Sequence, residues 1–421
     1  MFLLKSISFV LATLALATSA YAQEPAPDGQ VLTLQEAVSL ASGNQPAIAA
    51  YELDARASQE AAVAARRLPD PQVSVGIQNF PITGKNALSP TEDEMTMLTI
   101  GIMREQVRRS KRESEVARLN AEALVSRRQG SAKDRQIRLA VMIAWIDAVE
   151  AHSKALLLER LIDDLRTGRK VMEAGVSTGN STPALALQTD AEIGLQEGEL
   201  AQTRGAEVRA RAELARWIGA TTSRSLPDSL PLIEAPKSLP ADTFRTGTHP
   251  AVQVVEAEQQ VALRQVDVAR QERGRDISWS VMLGIRPKYG EMVSGQVSIP
   301  LQINRRGRQD RLISAAEARA DAARLRVEDA RRELTQQYEV ARADYEGADA
   351  ELTHINREAV PALESAFKVA EARYAGGDGT LEQPFAIVRR YVETTIKSVE
   401  IRAKRDRAVA EMLYVIGETG Q

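Results

Sequence analysis

Small apolar residues recur along residues 305–374 at alternating intervals of three and four positions. This is the heptad spacing by which one helix packs along another. The positions that carry it are Ile313, Ala316, Ala320, Ala323, Val327, Ala330 and Leu334. Most of them are alanine, which lets helix backbones approach closely, and the residues between them are largely charged, as on a solvated face. At a rise of ~1.5 Å per residue the stretch predicts a rod on the order of 100 Å long, which needs partner helices to cover its seam.

The sequence predicts that the partner rod lies one repeat earlier in the same chain. A shift of 197 residues aligns Val116 with Ile313 and Ala123 with Ala320. We therefore expect a second rod over residues 108–174 and two copies of one unit of roughly 200 residues. Proline and glycine boundaries predict shorter helices at 32–42, 46–67, 183–217, 250–273 and 382–416.

Four other stretches are predicted strands: residues 72–78, 95–103, 277–285 and 293–301. Most of them alternate aliphatic residues with serine, glutamine and glycine, so that one face is apolar and the other polar and small. Such strands fit a barrel with lipid outside and water inside, and about nine residues is the length that crosses a bilayer. A soluble sheet packed on its own helices would show the same alternation, so the pattern alone leaves both structures open.

Composition supports long helices rather than a sheet-based enzyme. Of the 421 residues, 44% are apolar, 26% charged and only 4% aromatic. The net charge of −3 predicts no particular partner. The chain has no cysteine, which excludes disulfides, thiolate metal sites and lipidation at an N-terminal cysteine.

The first 22 residues have the pattern of a secretory signal peptide. Lys5 supplies the positive charge, residues 7–17 are mostly apolar, and Ala20-Tyr21-Ala22 is a cleavage motif. No other segment approaches 18 apolar residues, so a membrane location would require a β-barrel. Because the smallest closed outer-membrane barrels have about eight strands, four strands per chain predict an oligomer that shares one sheet.

The predicted organisation is therefore a leader, two repeats and a linker. Their bounds are 1–22 for the signal peptide, 23–220 for the first repeat, 221–248 for the proline-rich linker and 249–421 for the second repeat.

Several segments, taken in order, resemble the outer-membrane efflux protein family, the TolC-like factors. They are LTLQEA at 32–37, SIPL at 298–301 before the arginine-rich start of the second rod, and LYVIG at 413–417. The resemblance covers nearly the whole chain after the leader, and is nearest to the heavy-metal efflux subgroup. It implies a mainly α-helical fold with membrane β-structure: a homotrimer in which a twelve-stranded outer-membrane barrel continues as a helical coiled-coil tunnel into the periplasm. It also implies partnership with a periplasmic adaptor, an inner-membrane pump and outer-membrane lipid, without nucleic acid. In this family the shorter helices stack end to end beside the long ones.

The two helix reversals, near 175–180 and 374–379, are expected at the periplasmic tip. Their glycines would permit the positive φ angles of a tight turn, which is sufficient reason for glycine there. The resemblance implies in addition that an adaptor contacts this tip. The candidate contact residues are Gly175, Val176, Ser177, Tyr374, Ala375, Gly376 and Gly377.

Three acidic residues near the tip are candidates for an entrance ring: Glu364, Glu371 and Asp378. In a trimer each would form a ring of three carboxylates, which attracts cations. The alternative, a solvated helix face with pairs such as Glu364 with Lys368, explains them equally and is the one we favour.

Five of the nine methionines share the polar parity of the predicted strands: Met95, Met97, Met103, Met282 and Met292. Thioethers are soft ligands that suit Cu(I), so a trimer could present a weakly binding, methionine-lined exit. The alternative is that methionine fills irregular space flexibly.

No catalytic or cofactor motif is present. The three histidines are scattered, and there is no HExxH, phosphate loop or nucleophile triad. We expect a passive efflux channel, for metal cations or alternatively for proteins or organic solutes. The competing hypothesis is a soluble periplasmic helical scaffold or adaptor, whose strands would bury their apolar rows on a core.

Overall fold

A computed structural model describes residues 31–42, 45–177, 182–219, 224–236, 249–376 and 382–416. Within these ranges the chain is mainly helical with a single sheet. The helices are α1 (Leu34–Ala41), α2 (Pro46–Ala65), α3 (Arg109–Ser177), α4 (Pro183–Ile218), α5 (Pro250–Gln271), α6 (Gln309–His354), α7 (Val360–Ala375) and α8 (Glu382–Ile416). The strands are β1 (Gln72–Gln78), β2 (Met97–Gln106), β3 (Ile277–Ile285) and β4 (Met292–Ser298). The predicted signal peptide lies outside the described residues.

The element order is the same in the two halves of the chain. A helix that begins with proline leads into two strands, then into a long helical segment and a return helix. The helix starts follow local rules: Thr33 caps α1 in a capping box with Glu36, and prolines occupy the first positions of α2, α4 and α5. The exact limits of the two repeats remain a prediction.

The sequence predicts that the two long helices pair with each other, and this prediction is wrong. Helix α3 packs along α2, α4, α5 and α8, whereas α6 packs along α5 and α8. The predicted seam of α6 is nevertheless buried, apart from the half-buried Ala330. The N-terminal part of the seam contacts Val266 and Ala269 of α5, and its C-terminal part contacts Met412 and Val415 of α8. A short helix on each stretch of the seam therefore covers it, as end-to-end stacking requires.

The second rod is interrupted, which corrects the prediction of one helix over 305–374. Residues 304–308 form a turn in which the Gly307 N–H donates to Oδ1 of Asn304 at 2.9 Å, so α6 begins only at Gln309. Farther along, a π-helical segment (Ile355–Ala359) separates α6 from α7. Pro361 explains it, because proline has no N–H to donate and its ring would clash with the carbonyl four residues back in a regular α-helix.

The main core lies midway along the helices, around the indole of Trp145. Its Nε1–H donates to the carbonyl oxygen of Leu32 at 2.9 Å, which fixes the segment before α1 against α3. The linker segment 224–236 crosses the same level and buries Leu226, Leu230 and Ile233 in this core. We call this level the waist.

A buried charge cluster ties the linker to α6 and α8 at the waist. Arg405 donates to Asp406 at 2.7 Å, to Asp349 at 2.8 Å and to the carbonyl of Ile233 at 3.0 Å. Its guanidinium carbon also lies 5.1 Å from the ring centroid of Tyr345. Burial raises the pKa of Asp406 to about 6, although Arg405 works in the opposite direction.

The short helices meet end to end at the waist in the same way in both halves. Gln45, just before α2, donates from Nε2 to the carbonyl of Trp217 in the last turn of α4 at 2.9 Å. His249, just before α5, lies 3.1 Å through Nε2 from the carbonyl of Tyr414 in the last turns of α8. Nδ1 of His249 accepts the N–H of Ala251 at 3.2 Å and so caps α5. These two bonds require the neutral ring with its proton on Nε2.

His249 should make the junction between α5 and α8 sensitive to acid. Burial, with the charge of Arg135 second, lowers the pKa of His249 from 6.5 to about 4. Since the unfolded chain binds the proton more readily, stability falls as the pH drops from about 6.5 towards 4. We expect the wild type to lose about 2 kcal/mol per chain between pH 7 and 5 through this group.

His249→Gln copies the first repeat, where Gln45 makes the corresponding bond, and should lose less stability over the same interval. The measurement is the thermal unfolding midpoint of both proteins at pH 7 and pH 5. Asp406 titrates in both proteins, so the difference between them isolates His249. Equal losses in the two proteins would contradict the assignment.

Candidate functional site

The four strands form one antiparallel sheet in the order β1-β2-β3-β4. Its register places opposite residues on the same face: Val75 faces Ile100, Ile100 faces Leu283, and Leu283 faces Val293. The apolar rows of all four strands therefore form one continuous face. The edge strands β1 and β4 are unpaired on their outer sides within the described part of the chain.

The apolar face of the sheet is exposed. Val75 is 70% exposed, Ile100 44%, Val281 44% and Val293 74%. No described helix packs extensively on any strand, so the part of the chain that the structure describes does not cover this face with a core. The competing hypothesis of a soluble scaffold predicts instead that the apolar rows are buried on a core.

Separately, within the described ranges, no helix is both long enough and apolar enough to cross a lipid bilayer.

The polar face of the sheet carries four of the five candidate methionines. Met97 pairs with Gln78, Met103 with both Gln72 and Ser280, Met282 with Gly101 and Ser294, and Met292 with Gly284. The fifth, Met95, precedes β2 and is 58% exposed. Among the described residues there is no group of three or more His, Asp or Glu side chains that could hold a metal ion.

Glycines on the polar face make room for the neighbouring side chains. A Cβ on Gly284 would lie 2.5 Å from Sδ of Met97, and a Cβ on Gly101 would lie 2.8 Å from Oγ of Ser74. Met97 is consequently buried over Gly284, with 9% of its surface exposed, whereas Met103 and Met292 are each 40% exposed. The polar face thus offers thioethers at different depths.

The described tip residues lie in the last turns of helices or directly after them. Gly175, Val176 and Ser177 belong to the last turn of α3, and Tyr374 and Ala375 to the last turn of α7. Gly376 follows with a φ of −79°, in the right-handed region. Positive φ therefore does not explain the glycines at 175 and 376, which corrects that part of the prediction. Tyr374 is 42% exposed; Gly377 lies outside the described residues.

The candidate entrance residues have different surroundings. Oε1 of Glu364 accepts a hydrogen bond from the hydroxyl of Tyr391 on α8 at 3.3 Å, and within the described residues it forms no ion pair with Lys368. Burial, followed by the nearby Glu364 carboxylate, raises the pKa of Tyr391. Glu371 is exposed on α7, and Asp378 lies outside the described residues. The structure thus replaces the expected pair within α7 by a link between α7 and α8.

Sequence reasoning missed a close contact between two helices near the tip. A Cβ on Gly168 of α3 would lie 2.1 Å from the ring of Phe385 in the first turn of α8. An isolated glycine opposite a phenylalanine in another repeat carries no local signal, so only the packed structure reveals the pair. Leu165, Val392 and Leu161 continue the apolar contact between these helices towards the waist.

Gly168→Ala should separate α3 from α8 at the tip, because the added methyl overlaps the Phe385 ring. Overpacking of this kind costs roughly 1–3 kcal/mol. The matched control is Gly194→Ala on α4, where a Cβ would meet nothing within 4 Å; alanine there should stabilise its helix by up to about 1 kcal/mol. Amide hydrogen exchange of residues 382–396 measures the effect. We expect faster exchange only in the Gly168 variant, and an unchanged rate would show that the ring relaxes without moving α8.

Comparison with known proteins agrees with this geometry. A sequence model of the family described as outer membrane efflux protein matches residues 247–413, which lie in the second half of the chain. Among curated proteins, none matches the sequence.

Solved structures match nearly the whole chain in fold. The outer membrane protein VceC from Vibrio cholerae has 16% identity and a TM-score of 0.73, over 92% of this chain and 97% of VceC. CusC, described in connection with transmembrane channel formation, has 15% identity and a TM-score of 0.75, over 94% and 97%. The outer-membrane channel OprN has 17% identity and a TM-score of 0.75, over 95% and 96%. The chain therefore has the fold of these outer-membrane proteins.

Proposed function

We propose that this protein is the outer-membrane channel of a tripartite efflux system, a passive exit duct without catalysis of its own. The observation that carries the proposal is the continuous apolar face of the sheet, which the chain leaves exposed at one end of its long helices. In water such a face is unfavourable at about 25 cal/mol per Å² of apolar surface, whereas lipid covers it without this cost. The shared fold with solved outer-membrane channels supports the same environment.

The proposed assembly is a homotrimer that closes a twelve-stranded barrel. Unpaired backbone groups at the outer sides of β1 and β4 cannot remain open in lipid, so the edges of neighbouring chains must pair. Three chains of four strands satisfy this requirement with one repeated interface between β1 and β4. The helices would then continue the barrel as a tunnel into the periplasm, where their tips meet an adaptor linked to an inner-membrane pump. The leader at residues 1–22 would deliver the chain to that compartment without lipidation.

A pair of neighbouring substitutions tests the membrane assignment. Val281 is the middle residue of β3 and lies on the apolar face, whereas Ser280 lies on the polar face. Val281→Lys should abolish the outer-membrane trimer, because a lysine facing the middle of the bilayer costs roughly 2–4 kcal/mol. Ser280→Lys, with the same charge, should leave it intact.

The measurement is membrane fractionation of the tagged proteins, followed by cross-linking and unheated gel electrophoresis. A wild-type trimer extracted by detergent from the outer membrane supports the proposal. A soluble periplasmic monomer, or equal tolerance of both lysines, would overturn it in favour of a helical scaffold.

We propose metal cations as the cargo because four methionines lie on the polar face of the sheet. In a trimer this face would surround the exit, and thioethers favour soft ions such as Cu(I) and Ag(I). Replacing Met95, Met97, Met103, Met282 and Met292 by leucine should lower copper and silver tolerance in a strain that depends on this channel. The control is the amount of trimer in the outer membrane, which should not change. Unchanged tolerance at equal trimer would remove the metal assignment and leave export of proteins or organic solutes.

A further inference from the structure

An excess of basic residues marks the level at which the sheet joins the helices. We propose that this level binds the phosphate groups of anionic phospholipids, in the membrane leaflet nearest the helices. The inference rests on the proposed function, which places the apolar face of the sheet in a bilayer.

The excess is present at all four crossings between helix and strand. The crossing segments are 66–71, 104–113, 270–276 and 305–311; together they hold fourteen basic and six acidic residues in a chain of net charge −3. Since the remainder of the chain is therefore acidic, the positive charge is concentrated at one level of the molecule. We call these four segments the arginine band.

Direct contacts join the crossing segments into one band. The Arg112 guanidinium at the start of α3 donates to the carbonyl of Arg66 at the end of α2. Arg108 donates to Asp276, before β3, through its backbone N–H at 3.0 Å and through Nε at 3.2 Å. Nη2 of Arg273 lies 2.8 Å from Oδ1 of Asp310, at the start of α6. The segments are therefore neighbours.

Ion pairs within the band neutralise four of its six acidic residues. Asp276 and Glu272 pair with Lys111 at 3.2 and 3.0 Å, Asp310 is paired with Arg273, and Glu113 is paired with Arg109 at 2.7 Å. The Arg108 guanidinium lies against the backbone of Gly274, where a Cβ would overlap it in its present position. The internal ion pairs thus hold the four segments together and leave a remainder of positive charge that is not neutralised.

That remainder is a set of exposed arginines that form no ion pair with any described residue. They are Arg66, Arg67, Arg275, Arg305, Arg306, Arg308 and Arg311. An exposed guanidinium presents five N–H donors in a planar fork, which matches the oxygens of a phosphate group. Arginine rather than lysine at all seven positions favours such a bidentate partner over diffuse attraction of counterions.

The apolar face of the sheet leads directly into the band. After β4, Ile299 is 50% exposed, Leu301 is 74% and Ile303 is 93%, and Arg305 and Arg306 follow two and three residues later. An exposed apolar row followed by unpaired cations matches an anionic leaflet, in which the apolar acyl region is followed by negatively charged headgroups. This continuity selects a phospholipid, with its acyl chains beside the apolar row, over a free phosphate ion.

Lipid retention by the detergent-purified trimer tests the proposal. The protein is mixed with equal amounts of phosphatidylglycerol and phosphatidylcholine of identical acyl chains, and native mass spectrometry counts the retained lipids. The test variant replaces Arg305, Arg306, Arg308 and Arg311 by glutamine. The matched control replaces four other arginines by glutamine: Arg319, Arg326, Arg332 and Arg357. They are exposed along α6 and the π-helical segment and form no ion pair with described residues. Both variants change the net charge equally.

We expect the wild type and the control to retain the anionic lipid preferentially. One arginine near an anionic surface contributes roughly a fivefold preference, so losing four should lower the ratio of phosphatidylglycerol to phosphatidylcholine at least about tenfold. An equal ratio for all three proteins would overturn the proposal. So would a test variant that keeps its lipid preference but changes the ion selectivity of single channels in planar bilayers, because its arginines would then line the duct. Failure of the wild type to form a trimer or to enter a bilayer would refute the proposed function instead, and inorganic phosphate that competes as well as the lipid would identify a free-anion site.

Discussion

The apolar face of the four-stranded sheet is the constraint on which the rest of the arrangement depends. Strand register makes it continuous, and none of the described helices covers it. The same sheet has two edges whose backbone groups need partners. Exposed apolar surface and unpaired backbone groups are both unfavourable in water, and the shared sheet in lipid that we propose would remove both deficits together. The long helices then extend in one direction from that sheet, because all four crossings lie at one end of it.

The helical part meets a different requirement, which is to keep long helices in register over a great length with few bulky residues. Alanine seams allow close approach, but they bury little surface per residue and specify a partner weakly. Specificity is therefore concentrated at a few places. Gly168 with Phe385 fixes α8 on α3 near the tip, and the core around Trp145 fixes the leading segment and the linker at the waist.

The charged and polar contacts also differ from one level of the molecule to the next. Arg405 with Asp349 and Asp406 joins the linker to two helices at the waist, where burial makes an unpaired charge costly. At the junction with the sheet, ion pairs such as Arg273 with Asp310 connect adjacent segments, and exposed arginines remain beyond them. Near the tip, Glu364 is bound to Tyr391. Each level thus has its own polar chemistry, although the overall charge of the chain is close to neutral.

The sequence by itself determined the elements whose signals are local. The heptad spacing of α6, the alternation of β1 and β3, and the proline starts of α2 and α5 depend on neighbours in the chain, and the structure has them as the sequence predicts. The parity of Met97, Met103, Met282 and Met292 could be deduced for the same reason, since side chains alternate along a strand. Tertiary structure alone decided which helix covers which seam, because alanine positions accept many partners. It also decided that Pro361 introduces a π-helical segment rather than a break, that Gly168 receives Phe385, and that four arginine-rich segments meet in one band. Each of these depends on residues far apart in the chain or on how a packed helix accommodates a local defect, and the order of residues does not encode such contacts locally.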